Sequence, residues 1–141
     1  MSRKINIIIS EIVYLFLIFF FCYTAVNKLM NLNSFRINLM KTSLFTEALA
    51  NWFSVVVISI EIIVVLIMVF KKRLGLLLVT GLLLIFTLYI SYLRFKGLYE
   101  VCGCGGILNG LHYKYHLLIN CVLIFGGLYS LLILNTFSDE E

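Results

Sequence analysis

Two cysteines, Cys102 and Cys104, stand one glycine apart and run into Gly105 and Gly106, in a 141-residue chain otherwise poor in reactive groups. Thiolates attack disulfides and bind soft metals, so such a pair can cycle between dithiol and disulfide or hold an ion. The ring that a Cys-Gly-Cys disulfide closes is small and strained. Strain and exposure raise a reduction potential and favour a catalytic or regulatory bond over a structural one. A loop this short also gains little stability through chain entropy. Gly103, Gly105 and Gly106 let the backbone turn sharply and let a second protein come close. The plainer alternative is two free thiols in an ordinary loop.

Further polar residues follow. Past a turn at Asn109-Gly110, His112, His116 and Asn120 recur every four residues, which places them on one helix face. His116 is expected at a membrane boundary within reach of the cysteines, where an imidazolium stabilises a thiolate or carries its proton. Asn120, one turn deeper, is placed to hydrogen-bond the second ring nitrogen. The competing reading has both satisfied by headgroups and water, and His112 is the more exposed of the two histidines. Glu61 lies in the middle of an apolar run, where a charge costs about 2.5–3.5 kcal/mol. It is expected to be protonated, paired or turned inward, serving as a proton relay, as a contact to a quinone headgroup, or simply as a hydrogen bond to a neighbouring helix. Cys22 and Cys121 are expected to be buried and to pack as small hydrophobes. A bolder reading makes them a second redox pair beneath the hairpin.

These residues need elements to position them. The chain is 62% hydrophobic and 13% charged, with a mean hydropathy of +1.08, which leaves too little polar surface for a soluble domain. Four apolar runs, about 5–26, 49–70, 74–93 and 115–134, each reach the roughly 20 residues needed to cross a bilayer. They predict an all-α integral membrane four-helix up-down bundle, with residues 1–141 as one domain. The runs lack the alternation of a membrane barrel, and the first is read as a retained span rather than a signal peptide. Gly126-Gly127 marks a place for two helices to approach closely. Residues 27–48 are expected to cap the outer end of the bundle, docking through Phe35, Leu39, Leu44 and Phe45. The tail Asp139-Glu140-Glu141 is expected to mark a solvated end.

Orientation rests on basic residues. Arg3, Lys4, Lys71, Lys72 and Arg73 lie on one side, against Lys28, Arg36, Lys41, Arg94, Lys96 and Lys114 on the other. The first five are the more densely packed beside spans, so they are placed in the cytoplasm and the Cys-Gly-Cys hairpin outside it. There a disulfide persists. The net charge of +4 is distributed by topology, and nothing in it suggests a nucleic-acid surface.

Cys102, Cys104, Gly105 and Gly106, followed by His116 and Asn120 on the next span, resemble the MauE/DoxX-type redox-associated membrane proteins, a four-helix family. Lys28, after the first span, and Glu61, within the second, fall where that family carries a lysine and an acid. Ser59-Ile60-Glu61 departs from its pattern by lacking a proline. The resemblance covers most of the chain. It implies an accessory protein of the bacterial cytoplasmic membrane that passes redox equivalents, with a thioredoxin-like partner, while another protein matures. Composition and spacing alone reach only a membrane thiol protein. Two other classes stay open. One is a copper or zinc site built from Cys102, Cys104, His112 and His116, in which His-x₃-His suits zinc but Cys-x-Cys is tighter than usual. The other is a non-catalytic assembly subunit.

Overall fold

The computed structural model describes residues 3–99, 108 and 110–138. Five helices make up nearly all of it: α1 Arg3–Met30, α2 Leu32–Lys41, α3 Glu47–Phe70, α4 Lys72–Phe95 and α5 Tyr113–Ser138. Among the described residues there is no strand. The four long helices are apolar and long enough to cross a membrane. At 1.5 Å per residue, the 24 residues of α3 or α4 extend about 36 Å, against a hydrocarbon core of about 30 Å. Phe19, Leu88 and Phe125 are about 70% exposed on the outside of the bundle, while Leu17, Phe21, Met68, Leu76, Val79 and Leu83 fill its centre. An apolar exterior of this extent is the surface a bilayer solvates. The chain is a multi-pass membrane protein with the all-α bundle that its sequence predicts.

The bundle closes as a ring, with α1 and α4 each packed between α3 and α5. Small residues let the helices meet. A Cβ on Gly127 would fall 2.5 Å from Thr80 Oγ1 and 3.8 Å from Leu17, so glycine is what allows α5 to touch both α4 and α1. The close approach expected at Gly126-Gly127 is present. At the opposite end from Tyr99, Tyr14 donates to the Met68 carbonyl at 2.5 Å and Lys72 pairs with Glu11, tying α1 to the tight α3–α4 turn. The α3 helix runs unbroken through Ser59-Ile60-Glu61, so the missing proline leaves no kink.

The first span differs from its expected bounds. It continues past residue 26, and Lys28, counted above among the loop charges, belongs to α1 at only 5% exposure. Removing it leaves five basic residues on each side of the membrane (Arg36, Lys41, Arg94, Lys96 and Lys114 remain on the second). The helix breaks at Asn31, whose φ of −114° and ψ of 36° are not helical. Beyond it α2 lies against α3, with Phe35 and Leu39 packed on Ala50 and Ile58 and with Phe45 at the edge. Leu44, also expected to dock, is 45% exposed.

Helix α4 ends in a Schellman motif. Gly97 adopts φ 72°, the Leu98 amide donates to the Leu93 carbonyl at 2.8 Å, and the Gly97 amide to that of Arg94 at 3.1 Å. Leu98 then packs beside Leu93 and Ile90. This reversal turns the chain back over the bundle and delivers Tyr99 to its mouth.

Candidate functional site beneath the α4–α5 connection

The residues singled out in the sequence divide into two groups. Cys102, Cys104 and the glycines around them lie outside the described residues, as does the acidic tail. His116, Asn120, Glu61 and Lys28 are all within them, and all four line one cavity of about 270 Å³ enclosed by α1, α2, α3, α4 and α5.

Glu61 is fully buried in the middle of α3 and forms an ion pair with Lys28 of α1. The expectation that it be paired and turned inward holds. An isolated charge at this depth is costly, whereas opposite charges in contact offset much of each other's desolvation. The Lys28 ammonium also lies 5.0 Å from the centre of the Phe86 ring and 5.9 Å from that of Phe35, a favourable arrangement for a desolvated cation. The position of α2 follows from this, because Phe35 covers the lysine from the side that α1, having ended, no longer shields.

His116 is 2% exposed on the first turns of α5. Its Nδ1 lies 2.9 Å from the Tyr99 hydroxyl, which lies 2.8 Å from the Leu111 carbonyl. A carbonyl only accepts, so Tyr99 donates its single proton to Leu111 and accepts from Nδ1–H. The imidazole is thereby assigned as the Nδ1–H tautomer, with the Nε2 lone pair left as acceptor or base. The Tyr99 ring stacks edge-on against Tyr113 at 5.4 Å. Burial, then the neighbouring Tyr113, holds its phenol above the usual value of 10, so it stays protonated as this role requires.

The partner expected for the second ring nitrogen is therefore Tyr99 rather than Asn120. Asn120, 3% exposed, instead donates to Thr87 Oγ1 on α4 at 3.2 Å, and Thr87 donates in turn to the Leu83 carbonyl at 2.7 Å. His112 is exposed, so the two histidines of the alternative metal set sit in different surroundings, and the two cysteines of that set fall outside the described residues. Among the described residues no group of three His, Cys, Asp or Glu side chains is arranged to hold a metal. Cys22 is exposed on the outside of α1 and Cys121 is half-buried, both as free thiols. The expectation that both are buried fails for Cys22, because it falls on the face of α1 turned away from Phe21, Thr24 and Ala25.

Sequence reading missed three participants. Tyr99 and Thr87 are hydrogen-bonding partners that only packing reveals, although Gly97 gave a signal that the chain reverses just before Tyr99. Tyr89 also lines the cavity. Its hydroxyl and Glu61 Oε2 are buried with no hydrogen-bond partner among the described residues. The site thus gathers an ammonium, a carboxylate oxygen with spare acceptor capacity, a phenol and an imidazole lone pair around a largely apolar chamber. Such a set can exchange protons and hydrogen-bond a small uncharged molecule.

The family model described as methylamine utilisation protein MauE matches residues 6–133, from the first turns of α1 to near the end of α5. No curated protein sequence and no solved structure gives a significant match.

Proposed function

The chain belongs to the MauE family, whose model matches residues 6–133, and we propose that it is a membrane thiol–disulfide redox protein. Its Cys102–Cys104 pair exchanges with a thioredoxin-like partner during the maturation of another protein. One observation carries this reading. Both ends of the segment bearing the cysteines are anchored in the wall of the buried polar site, Tyr99 on His116 and Leu108 at the cavity. Cys102 follows Tyr99 by three residues and Cys104 precedes Leu108 by four, and an extended chain covers at most ~3.6 Å per residue. This short tether supports a role for the imidazole in the chemistry of the thiols.

In the exchange, a thiolate of the partner attacks one sulfur of the Cys102–Cys104 disulfide. The displaced sulfur leaves as a thiolate and takes a proton. A second thiol of the partner then resolves the mixed disulfide, leaving a dithiol on this chain and a disulfide on the partner. The reverse sequence reduces the partner. His116 Nε2 holds the thiol proton, and Tyr99 is the positioning residue that keeps the lone pair on that nitrogen. The termini lie in the cytoplasm and the cysteines outside the bacterial cytoplasmic membrane, where a disulfide persists. With five basic residues on each side, this orientation rests on the dense placement of Arg3, Lys4 and Lys71-Lys72-Arg73 beside spans.

Differential alkylation of the four cysteines in intact membranes, before and after reduction, tests this reading. Cys102 and Cys104 are expected to change together across a series of redox buffers, and Cys104→Ser to trap a mixed disulfide with the partner. Two thiols that stay fully alkylatable in every buffer, or serine variants that support normal maturation, would overturn it.

A further inference from the structure

The cavity carries chemistry that thiol exchange leaves unused. It is walled mainly by apolar side chains, yet Lys28, Glu61, Tyr89 and His116 reach it from four helices. Its wall also includes Ile60 of α3 and Ile85 of α4, which are 41% and 61% exposed on the apolar outside of the bundle. The chamber therefore communicates sideways, between two membrane-spanning helices, with the lipid. A ligand admitted there is dissolved in the bilayer. A volume of about 270 Å³ lies just below the usual range for small-molecule sites and suits a single ring, with any long tail left in lipid.

We propose that this cavity binds the ring of a membrane-dissolved para-quinone, which withdraws two electrons from the Cys102–Cys104 dithiol. The polar groups match both redox forms of such a ring. Quinone carbonyls only accept, and Lys28 Nζ and the Tyr89 hydroxyl donate. Quinol hydroxyls also donate, and Glu61 Oε2 and the His116 Nε2 lone pair accept. Tyr89 and Glu61 Oε2, buried with no partner among the described residues, gain the hydrogen bonds that buried polar groups require. In the transfer, the two S–H bonds of Cys102 and Cys104 break and one S–S bond forms. The electron pair reduces the ring, and the two protons end on its two oxygens, giving quinol. The electron transfer rests on the dithiol–disulfide reading above, whereas the binding does not.

The test uses the full chain in lipid nanodiscs and separates the two. Decylubiquinone is titrated against the Cys102→Ser/Cys104→Ser variant, with menadione in a parallel arm to distinguish a benzoquinone from a naphthoquinone. Saturable binding of one quinone per chain is expected. Tyr89→Phe should weaken it about five- to tenfold, the loss of one hydrogen bond. Ile85→Trp, which blocks the lateral opening from an exposed position, should abolish it. No saturable binding of either quinone, or binding that both substitutions leave unchanged, overturns the site. In the second arm the reduced parent chain should form one quinol per dithiol. Intact binding without quinol formation would overturn the electron transfer while sustaining the site, and the redox reading of the cysteines would still stand or fall on the alkylation series.

Discussion

Tyr99 and His116 form the contact on which the proposed thiol chemistry depends. Tyr99→Phe removes the acceptor for Nδ1–H and leaves a buried donor unpaired, at a cost of about 1–3 kcal/mol. Lower thermal stability in detergent and slower alkylation of the attacking thiol near neutral pH are expected. His116→Ala should slow that alkylation further by raising the thiol's pKa, and alkylation rates equal to the parent's across pH would remove His116 from the mechanism. The Tyr99 phenol lies above its usual value because of burial and the neighbouring Tyr113. A raised folded-state value means that the fold favours the protonated form. That contribution to stability is complete below pH 10 and lost as pH rises through the folded value. The pH profile of alkylation between 6 and 9 should accordingly contain no Tyr99 step, as comparison with Tyr99→Phe would reveal. The Lys28–Glu61 pair behaves differently. Lys28→Met alone leaves a carboxylate buried without its counterion and should cost about 3–5 kcal/mol, whereas Lys28→Met with Glu61→Leu should recover most of that loss. A double-mutant cycle on unfolding measures the coupling directly, and additive losses would mean that the two charges do not act as a pair.

At the level of the helices, the bundle is held by close approach rather than by bulk hydrophobicity, because lipid solvates leucine as well as a neighbouring helix does. Gly127 makes this testable. Gly127→Ala places a Cβ 2.5 Å from Thr80 Oγ1 but 3.7 Å from Thr80 Cβ. It should therefore destabilise the parent by about 1–3 kcal/mol through overpacking, and much less in a Thr80→Ala background. Equal losses in both backgrounds would mean that the α4–α5 approach is not the constraint. The break at Asn31 has a related consequence. Had α1 continued straight, α2 could not lie on α3, and Phe35 would not cover the Lys28 ammonium.

The whole molecule presents two asymmetric ends, one tied by Tyr14, Lys72 and Glu11, the other carrying Tyr99 and Leu108 beside the polar cavity. If that second end is extracytoplasmic, an impermeant maleimide added to intact reduced cells should label Cys102 and Cys104 at once. Labelling that appears only after the cytoplasmic face is opened would reverse the orientation. Cys22, exposed toward lipid, and Cys121, half-buried, are free in the fold. Replacing both with alanine should leave redox exchange unchanged, which would exclude them as a second pair.

Length and hydropathy alone determined the four spans, since a continuous apolar run of about 20 residues has one stable arrangement in a bilayer. The Gly126-Gly127 contact was equally legible, because two adjacent small residues in a span have few other uses. That His116 and Asn120 share one face followed from their four-residue spacing, whereas their burial did not, since His112 on the same spacing is exposed. Which atom each one touches did not, because hydrogen-bond partners come from other helices whose rotation the spacing does not specify. Tyr99 reached His116 through a helix cap, and Asn120 reached Thr87 across the α4–α5 contact. Lys28 was misplaced for a similar reason. Its charge resembles a loop residue until Glu61, 33 positions later, offers it a counterion inside the bundle. The sideways opening at Ile60 and Ile85 was also invisible in sequence, since it exists only where two distant spans are brought side by side. Burial of a charge and the shape of a cavity are properties of the packed helices, and only tertiary structure decides them.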